Sequence, residues 1–288
     1  PTVGLKLANV EAVPAIKFEK MAVLLRSLCE NNIALSKEDW DSYEISWDFE
    51  QHPLVKRKEL HSLEKCYLEW KTECENRFLK MKDNEEHINA VILKEYGLEN
   101  EVACEVSEKS ISVHRIFDTK EDIPVSMDGS YYVRTKRDEI VSLISYSVGC
   151  MFGRYSLDKN GIVNAGDSLN ANEYVSFSVD KDNIIPICDD EYFKDDIVGR
   201  FVEFIKIVYG VDSLDDNLKF IANALGGKGS PREIIRNYFV NDFYKEHCVT
   251  YSGTVGKRPI YWLFDAGKNN SFKALIYMHR YQPDTIAR

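Results

Sequence analysis

No Cys-x-x-Cys pair occurs among the seven cysteines (Cys29, Cys66, Cys74, Cys104, Cys150, Cys188 and Cys248), which excludes a zinc ribbon and a thioredoxin-like redox site. Odd in number and dispersed through 288 residues, they read as reduced, buried thiols of a cytoplasmic protein. No signal peptide opens the sequence. The longest uncharged apolar run, Ile140 to Phe152, has 13 residues, whereas a membrane span needs about 20, so no membrane partner is expected. Positive charge is also scarce. Against 47 Asp and Glu stand 37 Lys and Arg, for a net charge of −10, which argues against a general polyanion binder but leaves room for a local basic face.

Catalytic signatures are missing as well. The sequence holds no G-x-x-x-x-G-K-[ST] loop, no G-x-G-x-x-G turn, no H-E-x-x-H pair and no G-x-S-x-G elbow. It also lacks any [NDS]-P-P-[YFW] tetrapeptide, with which amino-methylating enzymes hold an exocyclic amine and stack a flipped base. "GGKGSP" (226–231) places glycines before a helix start, where an anion can bind, but such a stretch more often only links helices. "EWK" (69–71), the nearest match to a nuclease metal motif, falls inside a heptad helix with the wrong geometry. Asp189, Asp190, Asp195 and Asp196 offer oxygens to a hard cation, although runs of like charge usually stay wet. The residues themselves therefore assign no catalytic, cofactor-binding or metal-binding role.

What is present points to a packed protein, 44% hydrophobic and 12% aromatic. The sequence opens on Pro1 rather than Met, and 1–16 reads as a short strand, as expected of a piece of something longer. A helix is expected over about 17–31, followed by a capping box at Ser36 to Asp39. The clearest periodicity runs from Val55 to Tyr96. Leu60, Tyr67, Cys74, Met81 and Ile88 recur every seven residues with Leu63, Trp70 and Val91 beside them, while Arg77 and Asn84 interrupt the pattern. This predicts a long helix whose seam packs on another helix, stopped by Gly97. A second helix is expected over 136–155, where Ser145, Gly149 and Gly153 would let a neighbouring backbone approach. Residues 156–196 read as acidic loops, and further helices follow, one of them starting at Ser230-Pro231 with Glu233 at its third position. The fold class is α+β, predominantly helical, with a small antiparallel sheet. The expected units are a closing strand and linker (1–16), a helical spacer (17–155) and a C-terminal α+β unit (156–288) ending in a hairpin over 259–279.

That hairpin is written in "PIYWLF", "DAGKNN" and "SFKALIYM". Both strands are apolar at nearly every position, so both faces are expected to be covered. From Tyr251 to Arg288 there are six Lys or Arg against two acids, a local balance of +4 in an acidic chain. Pairing across the turn is expected to gather Lys257, Arg258 and Arg280 into a phosphate-facing clamp, with Lys268 at the turn and Lys273 on the second strand. "RTKR" adds Arg134, Lys136 and Arg137. These eight residues are the candidate DNA contacts.

Four blocks, "SKEDWDSYEISWDFEQHPL" (36–54), "VILKEYGLENEV" (91–102), "SLISYSVGCMFGRYSLD" (142–158) and "KRPIYWLFDAGKNNSFKALIYMHRY" (257–281), together resemble the C-terminal half of the PglX-type adenine-specific DNA methyltransferases of bacteriophage-exclusion (BREX) systems. Residues 1–16 look like the strand that closes such a methyltransferase domain, and residues 159–190 match least. In that family the methyl-donor loop and the N-P-P-[YF] motif lie upstream of this region, so no catalytic residue carries over. The resemblance implies a spacer and DNA-target-recognition region of an enzyme that uses S-adenosylmethionine, with double-stranded DNA and other defence proteins as partners and no cofactor in this stretch. A docking scaffold without DNA contact is the alternative, because the acid-rich stretch 170–220, including 188–196, would repel phosphates.

Overall fold

The computed structural model describes residue 19 and residues 21–166, 169–253, 256–267 and 272–287. The strand expected over 1–16, and Lys268, lie outside the described residues.

Helix α1 (Ala22–Trp40) runs straight through the capping box expected at Ser36. Nothing between Ala22 and Trp40 breaks a helix, and Asp39 is instead drawn inward. It accepts from the His114 backbone N–H at 3.1 Å, meets His114 Nδ1 at 2.7 Å and pairs with Arg77. The short α2 (Pro53–Lys56) begins on Pro53 and is capped by His52, whose Nδ1 accepts from the Leu54 N–H. His61 then takes a left-handed conformation, φ 54°. A helix cannot pass through it, so the long helix starts later than its heptads suggest, as α3 (Leu63–Tyr96), with Ser62 as its cap and Gly97 (φ 68°) as its stop.

The α3 seam buries Tyr67, Trp70, Cys74 and Met81. Arg77 and Asn84, read from sequence as interruptions, lie buried on the same seam because α1 answers them. Asn84 donates to the Asn31 and Asn32 side-chain oxygens at 2.6 and 2.7 Å, and Arg77 reaches Glu38 at 2.9 Å.

Strands β1 (Arg115–Phe117) and β2 (Val133–Thr135) pair in parallel, and β2 leads directly into α4 (Lys136–Phe152) through a Thr135–Asp138 capping box. Gly153, φ 79°, ends α4. The small residue at Gly149 does not admit a neighbouring helix as expected. A Cβ there would lie 2.5 Å from the ring of Tyr155, which folds back on the helix that it has just left.

Strand β3 (Ile184–Cys188) was not legible in the acidic stretch. Helices α5 (Ile197–Tyr209), α6 (Leu214–Leu225), α7 (Pro231–Asn241) and α8 (Phe243–Thr250) follow it. After a small β4 (Ser252–Gly253) and β5 (Gly256–Lys257) pair comes the expected hairpin, β6 (Tyr261–Asp265) with β7 (Phe272–Tyr277). The sheet order is β3-β7-β6, antiparallel, with Ile185 opposite Leu275 and Tyr261 opposite Tyr277. Pro186 is tolerated because β3 is an edge strand. Of the two hairpin strands, only β7 is covered on both faces. On the edge strand β6, Trp262 and Phe264 are 44% and 56% exposed, against the expectation from composition.

One buried cluster joins Leu54, Trp70, Ile144, Phe201, Phe239 and Tyr277, and so draws on residues on both sides of position 155. A smaller one gathers Phe78, Met81, Ile111, Val113 and Met127. All seven cysteines are free thiols, but Cys29 is exposed and Cys104 partly so, contrary to the reading of buried thiols throughout. No helix among the described residues is long and apolar enough to cross a membrane.

Candidate functional site

Four of the candidate cations lie at the two ends of α4. Arg134, Lys136 and Arg137 surround its N-terminus. Arg134 is paired with Glu139, donates to the Asp138 carbonyl at 3.1 Å and lies 4.5 Å over the Tyr43 ring. Lys136 is 3.3 Å from Asp118 and sits above Tyr67 and Phe220. Arg137 donates to Glu246 at 2.7 Å, and its side chain stays 38% exposed. At the other end, Arg280 donates to the Phe152 carbonyl at 3.1 Å and the Asp180 carbonyl at 2.9 Å. The ends of this 17-residue helix are roughly 25 Å apart.

Arg280 therefore does not stand open as the expected clamp requires. Helix α4 leaves its last carbonyls without intrahelical donors, and the Arg280 guanidinium turns inward to satisfy one of them. Lys273 is buried too, donating to the Val240 carbonyl at 2.8 Å beside Asp265 at 3.6 Å. Arg258 is exposed, with its backbone N–H bonded to the Tyr251 carbonyl. Lys257 is described only in its backbone, as part of β5.

The other sequence candidates resolve into local structure. At "GGKGSP" the α7 N-terminus is closed by its own residues, since Glu233 accepts from the Ser230 N–H at 2.7 Å. Asp196 is buried, caps α5 through the Val198 and Gly199 N–H groups, and holds Arg236 through two bonds of 2.8 and 2.9 Å. Asp195 instead approaches Asp180 and Asp182, with one oxygen from each within 4.8 Å of the others. Burial pushes the Asp180 carboxyl up to about 6, and its oxygen already takes the Asn183 and Ile184 N–H groups.

Two cavities stand out. An open groove of about 940 Å³ runs beside Trp47 and Trp70. Its cations are neutralised locally, Lys37 by Asp41 and Asp48 and Arg57 by Glu73. A smaller one, about 330 Å³, lies between the C-terminal turn of α1, the N-terminus of α4 and α8. Sequence reading found none of its buried polar residues, Tyr43, Glu44 and His247. They come from separate segments with no common spacing. The only signal was aromatic density around "WDSYEISW".

No protein-family model matches the chain. Among curated proteins it is 39% identical, over 295 aligned positions and its whole length, to the adenine-specific methyltransferase PglX of Lacticaseibacillus casei. It is 34% identical, over 302 positions, to the adenine-specific methyltransferase BrxX of Escherichia coli. The chain is of the PglX type. It spans only 22% and 24% of the length of those two PglX-type relatives.

Among the described residues of this PglX-type chain, the N-terminus of α4 does not offer an open place for a nucleotide-like methyl donor. The parallel strand pair, β1–β2, leads into the α4 N-terminus, where parallel α/β sheets hold such ligands. Here the Asp138 carboxylate already fills that position, accepting from the Thr135 N–H at 2.7 Å and hydroxyl at 2.8 Å. Arg134 is tied to Glu139, and the turn "RTKR" contains no glycine.

Proposed function

We propose that this chain is a DNA-facing spacer and target-recognition part of an adenine-specific DNA methyltransferase in a cytoplasmic phage-defence system. The whole enzyme uses S-adenosylmethionine, and both donor site and catalytic motif lie outside this chain. The observation that carries the reading is the identity to two adenine-specific methyltransferases along the full chain. In this reading the DNA contacts are the candidate cations that face solvent. Arg137 and Arg258 are the best placed, because α8 joins them: Glu246 on α8 pairs with Arg137, and Tyr251 at its end takes the Arg258 N–H.

Salt-dependent duplex binding tests this. Replacing Arg137 or Arg258 with Gln should flatten the slope of log affinity against log salt by about 0.9 for each phosphate that is no longer neutralised. Replacing Arg280 should leave the slope unchanged and lower stability. No duplex binding at low salt would sink the DNA-facing role. Docking of other defence proteins is the second reading. It is favoured by the exposed Val23, Ile33 and Trp47 (83%, 68% and 93%) on and just after α1, a density of lone apolar side chains that suits a protein partner.

A further inference from the structure

The two faces of the β3-β7-β6 sheet differ. Successive side chains along a strand point to opposite sides. Ile185, Ile187, Tyr261, Leu275 and Tyr277 point one way and join the main buried cluster. The other side carries a row of aromatic rings. Trp262 and Phe264 stand two apart on β6, opposite Ile276 and Ala274 of β7, and are the 44% and 56% exposed residues noted above. Phe264 meets Phe272 with ring centres 6.2 Å apart, Phe272 meets Phe193 at 6.0 Å, and Trp262 meets Tyr281 at 5.2 Å. Phe193 is itself 44% exposed, and its neighbour Tyr192 66%. The row thus joins the loop before α5 to the hairpin and to the stretch after β7.

A single exposed apolar side chain is ordinary, but a run of them on one face marks a surface that something else covers. The charge beside the row says what. Between β3 and α5, Asp189, Asp190 and Glu191 are exposed and Asp195 partly so, against one exposed cation, Lys194, for a local balance of 1 − 4 = −3. The Asp189 and Asp190 carboxylates lie close enough to Tyr192 to hold its phenol above the usual range. Two cations on neighbouring elements do not offset them. Arg236 is taken by Asp196, and Lys273 leaves the other face of the sheet for the Val240 carbonyl. A phosphate backbone would be repelled here, as would an anionic bilayer surface. A two-fold pairing of this face with itself would bring the same carboxylates together. A partner that carries both cations and bulky apolar anchors meets each condition, since cations suit carboxylates and ring faces alike.

We propose that the aromatic row of the C-terminal sheet, with the acidic loop beside it, is a docking surface for a basic segment of a partner protein. The partner's apolar side chains cover Trp262, Phe264 and Phe193, and its Lys or Arg side chains meet Asp189, Asp190 and Glu191. Aromatic residues carry much of the binding energy where a partner excludes water from them, and complementary charge steers the approach and rejects wrong partners. This surface does not rest on the DNA-facing role proposed above, and it gives the acidic stretch 188–196 a use without DNA contact.

Calorimetric titration of the chain with three synthetic peptides of equal length tests it. One alternates Leu with Arg, one Leu with Glu, and one Ser with Arg. The Leu-Arg peptide is expected to bind about tenfold tighter than either control, because it alone supplies both anchors and charge. Phe264→Ala and Trp262→Ala truncate exposed rings, and each should weaken that binding about tenfold with little change in melting temperature. The double variant Asp189→Asn, Asp190→Asn leaves the rings in place. It should weaken the binding and flatten its salt dependence, so the test holds even where a ring variant unfolds. Val23→Ala, on α1, should leave the affinity unchanged. Absence of peptide binding, equal binding of the Leu-Arg and Leu-Glu peptides, or parental affinity in Phe264→Ala overturns the proposal. Sedimentation and duplex titration of Phe264→Ala check the other occupants. Loss of self-association would give the face to a second copy, and loss of duplex binding would give it to DNA. Either result overturns the proposal.

Discussion

Trp70 ties three segments together. The guanidinium groups of Arg57 and Arg77 lie 5.2 and 5.3 Å from its ring, and its N–H donates to the fully buried Glu139 at 2.8 Å. Trp70→Ala should therefore cost about 3–5 kcal/mol in chemical unfolding. Trp70→Phe keeps most of the ring but strips one donor from Glu139, for about 1–3 kcal/mol. A loss below about 1 kcal/mol for the alanine variant would place the seam at the periphery. Glu44 supplies the pH dependence. Its folded carboxyl, up to about 7, binds a proton more tightly than the reference of 4.5. Its contribution is thus intact below about 4.5 and is lost as pH rises through about 7, about 3 kcal/mol in all. Urea unfolding across that window should show a steeper decline for the parent than for Glu44→Gln. Superimposable profiles would mean that Glu44 is ionised in the fold. Neither role was legible from residue type, since Glu44 sits in an aromatic turn with nothing to announce its burial.

The elements were legible where their signals are local. Gly97 and Gly153 end α3 and α4 in left-handed conformations, and Ser230 with Glu233 closes the start of α7, all readable from a few adjacent residues. The misreadings involve distant partners. Heptad spacing registered Arg77 and Asn84 as breaks because it contains nothing about α1, whose Glu38, Asn31 and Asn32 make those positions seam residues. Strand β3 escaped because five residues with a central proline become a strand only when β7 lies alongside. Gly149 offers a clean test at this scale. Alanine ordinarily stabilises a helix interior by about 1 kcal/mol over glycine. Here the added Cβ would lie 2.5 Å from the Tyr155 ring, and overpacking of that kind costs about 1–3 kcal/mol. Gly149→Ala is therefore expected to lower stability and to alter the near-ultraviolet circular dichroism of the stacked Tyr146–Tyr155 pair. A stabilised variant with an unchanged aromatic spectrum would show that Tyr155 yields freely.

For the molecule as a whole, the main buried cluster runs from Tyr43 to Tyr277 and crosses the boundary that the sequence suggested near 155. Unfolding is expected to be one cooperative transition, with tryptophan fluorescence and far-ultraviolet dichroism superimposing. Two separated transitions would instead support the division into a spacer and a C-terminal unit. Charge shows most clearly what each level of description decided. The sequence alone determined a predominantly helical α+β fold, a long helix with a seam, a terminal hairpin and the PglX-type character, because periodicity, capping and turn chemistry act over a few residues and family likeness accumulates along the chain. It also placed six cations near the C-terminus. Only the tertiary structure decided that Lys273 and Arg280 turn inward to backbone carbonyls while Arg258 faces water, and that Tyr43, Glu44 and His247 share one pocket. A charge interacts over a few ångströms with whatever stands opposite, and the fold, not the neighbouring sequence, brings those groups together.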